Sequence, residues 1–210
     1  MSKRILILSD SLALPRSQPE VCSYENTWPE LLKGKGFTIH QVSFGGGTSV
    51  DLLSQVLYHK SFNPDIVILQ VGIVDCAPRF MTKLELSIAR KMGILGRILI
   101  KALNRKSIKR LRKINYVGPI EFSNNIRKIC ESFDRTPVFV LGILDAGEKY
   151  EKILPGVSKR ISQYNKILST YGLFISVEDF DRRGIMTDHH HLNEFGHRQI
   201  EKKILNNINA

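Results

Sequence analysis

Four of the six histidines in this 210-residue chain fall within TDHHHLNEFGH, Thr187 to His197. Histidine titrates near neutral pH, ligates metals and shuttles protons. The cluster therefore reads as a metal site, a charge-sensing loop, or one working histidine among neighbours. Three other stretches carry residues able to do chemistry. LSDSL holds Ser9, Asp10 and Ser11; SFGGGTS (43–49) is a glycine turn; VGIVDCAPR (71–79) holds Asp75, Cys76 and Arg79. A serine hydroxyl is a poor nucleophile until a base takes its proton, and glycine turns present backbone amides. Whether these residues act together depends on the elements that position them.

Five short apolar runs read as buried parallel strands: 4–10, 37–44, 65–72, 137–143 and 173–179. They are too short for helices and rich in Ile and Val, and their apolar positions are consecutive, as in strands covered on both faces. Helical patterns lie between them, over Trp28–Lys33, Ser49–His59, Ile120–Phe133 and Val157–Tyr171, and Asn193 can cap a last helix running to Asn207. The alternation predicts a single α/β domain over 1–210, a three-layer α/β/α sandwich around a five-stranded parallel sheet. Ligands bind such sheets beyond the carboxyl ends of the strands. The serine after strand one, the glycine turn after strand two, the block after strand three and the Asp-x-x-His before the last helix should gather on one rim.

At these residues the sequence resembles the SGNH (GDSL) hydrolases, a flavodoxin-like α/β/α family of esterases, lipases, thioesterases and carbohydrate deacetylases. Ser9-Asp10-Ser11 is similar to the family's GDS block, WPELL (28–32) to its WxxLL, GGTS (46–49) to its second block, VGIVD (71–75) to GxND, and DHHH (188–191) to DxxHP. The resemblance runs in order from residue 4 to about 205. It implies Ser11 as nucleophile, His191 as general base and Asp188 as the carboxylate that orients it. Gly47 is then the oxyanion-holding glycine, with Asp10, Asp75 and Arg79 as further oxyanion or substrate-binding residues. The chemistry agrees with that assignment, since the base needs its second ring nitrogen held by a carboxylate and the oxyanion needs N–H donors such as Ser11 and the glycine. His189 and His190 become spacer or rim residues, and His197 belongs to the last helix.

Two positions depart from the family pattern. Ser9 replaces a glycine, a small-for-small exchange. Val74 replaces the asparagine whose amide supplies a third oxyanion donor, and losing such a donor typically costs about 10²–10³ in rate. Asn125 and Arg79 are the candidates to replace it. The function implied is hydrolysis of an ester, an O-acyl (acetyl) group on a carbohydrate or lipid-linked glycan, through an acyl-enzyme. Acyl transfer by the same residues and an inactive binding protein are the alternatives. No cofactor is implied. A metal is not expected either: there is no HExxH, and adjacent side chains on an extended loop point apart. No GxGxxG or GxxxxGK[ST] supports a nucleotide role. Cys76 reads as a packed small residue and Asn165 as an exposed helix residue.

The net charge of +11 is concentrated. Between Arg79 and Pro119 stand twelve Lys or Arg and one acid, Glu85, whereas the remainder holds nineteen of each sign. This segment, about 79–118, reads as a basic helical insertion. Over 83–105 a basic stripe (Lys83, Arg90, Arg97, Lys101, Arg105) runs beside an apolar one, with Gly93 and Gly96 able to split the helix. A solvated helical cap, an anionic membrane surface or an acidic glycan engaged through 83–113 are its readings, and nucleic acid is disfavoured because few aromatics interleave the charge. Three scattered cysteines, no leader pattern and no membrane-length apolar run lead to the expectation of a cytoplasmic protein, with a peripheral position on the inner membrane face as the variant reading.

Overall fold

The computed structural model describes residues 2–112 and 114–209, and of Arg110 only the backbone; Lys113, counted in the basic segment above, lies outside the described residues. Five parallel strands, β1 (Arg4–Ser9), β2 (Thr38–Ser43), β3 (Ile66–Gln70), β4 (Val138–Leu141) and β5 (Leu173–Ile175), form one sheet in the order β2-β1-β3-β4-β5. Ile5 to Leu8 and Val67 to Leu69 are completely buried, as expected for Ile/Leu/Val runs covered on both faces.

Helices α1 (Trp28–Gly34), α2 (Ser49–His59), α3 (Ile73–Cys76), α4 (Lys83–Lys91), α5 (Gly93–Leu103), α6 (Lys106–Arg112), α7 (Pro119–Glu131), α8 (Gly147–Ile153), α9 (Val157–Leu168) and α10 (Glu194–Ile208) connect the strands. Helices α1 and α10 pack together to form one outer layer, and α2, α7 and α9 form the other. Asn165, read from the sequence as exposed, is not: its amide grips both the N–H and the carbonyl of Ile143, at 2.7 and 2.9 Å, and fixes the chain beyond β4 to α9. A hydrogen-bond pair of that kind leaves no hydrophobic signature in the sequence.

Within the insertion the 83–105 stretch splits into two helices, α4 and α5, and α6 follows them. Gly93, at φ +61°, breaks the stretch between α4 and α5, and Ala89 packs directly against Gly96. The base of the insertion is closed where the Arg79 N–H donates to Ile114 O at 2.9 Å and Arg112 binds both Glu85 and the Phe80 carbonyl. Thr82 and Glu85 form a capping box that starts α4. No helix among the described residues is long and apolar enough to cross a membrane.

Chain direction across the sheet reverses between β1 and β3, because β2 lies outward of β1 on one side while β4 and β5 extend from β3 on the other. Segments leaving the carboxyl ends of β1 and β3 diverge there and open a crevice. The stretches singled out above border that crevice.

Candidate active site

Ser11 opens a single helical turn, Ser11–Ala13, immediately after β1. Asp10 builds that turn: its Oδ1 accepts the Leu12 N–H at 2.9 Å and its own N–H donates to the Gln70 carbonyl at 3.1 Å. Asp10 is wholly buried, which pushes its carboxyl up to about 7. It shapes the backbone under Ser11 and does not face the crevice, which corrects its expected place among substrate-binding residues.

The histidine stretch is folded by its own backbone. Ile185 bridges Leu192, Met186 N–H donates to His191 O at 2.8 Å, and His189 takes a left-handed conformation (φ 70°) that turns the chain. Asp188 sits inside the turn and accepts three N–H groups: His191 Nδ1 at 2.6 Å, His191 N at 3.0 Å and His190 N at 3.2 Å. Burial alone would raise its carboxyl, but these donors hold it down at about 2. His191 presents Nε2 to Ser11 Oγ at 3.1 Å. Burial, with the neighbouring His190, pushes His191 down to about 4, so the ring is neutral at pH 7 and able to accept a proton. Asn193 caps α10 by accepting the Gly196 N–H at 3.0 Å, which fixes where the loop ends.

The histidines do not point apart as an extended loop would require. The His190 and His191 rings lie 3.9 Å apart, and His190 stacks on Tyr150 at 5.3 Å. Ligand atoms of Asp188, His190 and His191 all lie within 4.8 Å of one another, close enough to hold an ion. Asp188 and His191 are also the hydrogen-bonded pair of the Ser11 line, so an ion held by these residues would draw on groups that the pair already uses.

Gly45, Gly46 and Val74 line the same crevice as Ser11. Gly47 does not fit the oxyanion role, because its N–H closes the turn by donating to Phe44 O at 3.0 Å. Gly45 and Gly46, the latter at φ +73°, are the turn glycines that line the cleft, ahead of the position the sequence suggested. Asp75 is also displaced from its expected role. It is fully buried and accepts the Ser49 N–H and hydroxyl at 2.9 and 2.7 Å, anchoring the start of α2. Burial pushes its carboxyl up to about 6. Asn125, a candidate for the missing donor, is committed to the same anchor through Ser49 Oγ at 3.0 Å.

The crevice has a volume of about 640 Å³ and is walled in part by Arg16, Arg79, Tyr116, Tyr150 and His190. Arg79 lies over the Tyr116 ring at 4.7 Å and donates to the Val74 carbonyl at 3.4 Å. Arg16 was not singled out in the sequence. It stands in the loop after Ser11, where its backbone pairs with Cys22, and its guanidinium lies against His191 Nε2. The Nε atoms of Arg16 and Arg79 are both buried with no hydrogen-bond partner among the described residues. Cys76 is fully buried and its thiol is pushed up to about 12, so it is not a second nucleophile at neutral pH.

No family model matches the sequence, and no curated protein matches it. Solved structures do match the fold. A lipase/acylhydrolase from Enterococcus faecalis aligns with a TM-score of 0.67 at 15% identity, covering 98% of this chain and 95% of that one. The esterase EstA from Pseudoalteromonas sp. aligns at 0.58 and 15% identity, covering 99% and 97%. A member of the lipolytic G-D-S-L family from Veillonella parvula aligns at 0.62 and 13% identity, covering 98% and 97%. The chain has the SGNH hydrolase fold along nearly its whole length.

Proposed function

We propose that the protein is a serine ester hydrolase that removes an O-acyl group, an acetyl group above all, from an acidic carbohydrate or lipid-linked glycan. The observation that carries this reading is the line Ser11 Oγ–His191 Nε2–His191 Nδ1–Asp188 Oδ2, at 3.1 and 2.6 Å, opening into the crevice. Ser11 Oγ attacks the ester carbonyl as His191 Nε2 takes its proton. The alkoxide of the sugar leaves with that proton and the acyl group stays on Ser11. Water, deprotonated by His191, then releases the carboxylic acid and restores the serine. Asp188 stabilises the imidazolium in both steps. The backbone N–H groups of Ser11 and Gly46 bind the oxyanion.

The acidic substrate is supported by Arg16 and Arg79. In the free chain Arg16 lies against the ring nitrogen that must accept the serine proton. A carboxylate on the substrate is the ligand that draws it off, by a charge-assisted pair with the guanidinium. The second reading, an inactive binding protein of the same fold, is favoured by Val74, which lines the cleft without a donor.

Turnover of p-nitrophenyl acetate by wild type and by Ser11→Ala separates the two. The enzyme reading expects a loss on the order of 10⁴ or more in Ser11→Ala; turnover equal to that of Ser11→Ala and His191→Ala controls sinks it. An O-acetylated hexuronic acid should be preferred over its neutral hexose counterpart by about tenfold or more, and Arg16→Gln with Arg79→Gln should remove that preference.

A further inference from the structure

The helical hairpin α4–α5 is built inside out. Ordinarily two packed amphipathic helices bury their large aliphatic side chains in the seam between them. Here the seam is made by Ala89 and Gly96, both almost fully buried, and a Cβ on Gly96 would fall 1.6 Å from the Ala89 carbonyl oxygen. The large residues face outward: Leu84 is 70% exposed and Ile88 53%, one turn apart on α4, while Ile94 (75%), Leu95 (69%) and Ile98 (61%) form the matching stripe on α5. Around them Arg90, Lys91, Arg97, Lys101 and Arg105 are exposed, and no acidic side chain pairs with them among the described residues. Among the described residues, the ion pairs of the segment lie at its base, Lys83–Asp51 at 3.1 Å and Arg112–Glu85 at 2.7 Å.

An exposed aliphatic patch of this kind marks an interaction surface. Its chemistry selects among occupants. A second copy of this chain would bring two strongly cationic segments together, and like charges at close range oppose that. Nucleic acid or a soluble polyanion would satisfy the cations and leave the aliphatics in water, and α4–α5 carry no aromatic side chain to stack a base. An anionic bilayer satisfies both sets at once, with aliphatics in the acyl boundary and basic groups among the headgroups. We infer that α4–α5 dock the protein on an anionic membrane surface.

The position suits the site. Lys83, at the start of α4, and Arg79 both approach the ring of Tyr116, which lines the crevice, at 5.8 and 4.7 Å. A docked hairpin therefore brings the mouth of the cleft to the headgroup layer. The inference stands apart from the hydrolase reading, because it concerns partition and not turnover.

The test is flotation of the purified full-length protein with phosphatidylcholine vesicles with and without phosphatidylglycerol. Binding is expected only with phosphatidylglycerol and should weaken as salt rises. The pair Ile94→Asp and Ile98→Asp should lower partition at least about tenfold while leaving the circular dichroism spectrum and melting curve of the body unchanged. Charge reversal by Arg97→Glu and Lys101→Glu should do the same. No binding to the anionic vesicles overturns the inference. So does binding that survives the aspartate pair, which would describe a purely electrostatic polyanion site. A vesicle-free dimer abolished by the same pair also overturns it, since a second copy would then own the surface.

Discussion

The rim around Ser11 and the hairpin α4–α5 handle charge and apolar surface in opposite ways. At the rim, the three carboxylates are held by hydrogen bonds, while the Nε atoms of Arg16 and Arg79 stay unpartnered among the described residues. Asp188 takes three N–H donors, Asp75 holds the start of α2, and Asp10 caps the turn beneath the serine. In the hairpin beyond Lys83, basic side chains have no acidic partner among the described residues and aliphatics stand in solvent. The first pattern holds a few atoms in fixed geometry against a large core. The second leaves surface free for a partner and depends on that core very little. The difference teaches that activity and docking should fail independently.

The largest break is expected at the rim. Asp188→Asn keeps the shape but cannot hold the His191 tautomer, and kcat should fall by about 10⁴ with membrane partition unchanged. In the wild type, His191 is depressed to about 4 by burial, so kcat/KM should stay level from neutral pH downward and fall only as pH approaches that value. A limb near the ordinary 6.5 would mean that the ring is not held as described. Val74→Asn comes next. It places a side-chain donor beside Gly46 in the cleft, and kcat on p-nitrophenyl acetate should rise by about 10². No change would mean that Arg79 or Arg16 already supplies the missing donor.

Legibility from sequence divides along physical lines. Strands were readable because burial on both faces demands unbroken apolar runs, and Ile5–Leu8 and Val67–Leu69 supply them. The order of blocks placed Ser11, Asp188 and His191 on one rim because parallel sheets collect strand ends. Which glycine faces the cleft was not readable, since three successive glycines carry the same letter and only the folded turn, with the Gly46 φ of +73° and the Gly47 N–H on Phe44, tells them apart. Asp10 and Asp75 looked like site residues because buried and substrate-facing carboxylates have the same letters. Arg16 and the helix carrying Tyr150 were missed: a lone arginine in a loop and a short helix carry no periodicity to read.

Smaller effects concern stability. Gly196 packs against the Gly184 carbonyl, and a Cβ there would fall 2.1 Å from its oxygen. Gly196→Ala should therefore cost about 3 kcal/mol or more and loosen the loop bearing His191, read by urea denaturation and by turnover together. His197 is buried, accepts the Trp28 N–H at 3.1 Å and is pushed down to about 4 by burial. Its folded value lies below its unfolded value, so its contribution is complete above about pH 6.5 and lost as pH falls towards 4. His197→Asn keeps an acceptor and removes the titration. It should flatten the acid dependence of stability by about 3 kcal/mol across that window, and an unchanged pH profile would contradict the assignment. The smallest effect is expected from Gly96→Ala. Its Cβ meets backbone at 1.6 Å and must part α4 from α5, yet because the hairpin stands outside the core the melting curve should move by less than about 1 kcal/mol and turnover not at all. A large loss of activity there would show that hairpin and rim are one unit.

The central claim is that Ser11 is a nucleophile activated by His191. A fluorophosphonate probe followed by intact-mass and peptide mapping tests it directly. The account predicts one adduct, on Ser11, in the wild type, and none in Ser11→Ala or His191→Ala. Folded wild-type protein that stays unlabelled, or a label on any other residue, would contradict it.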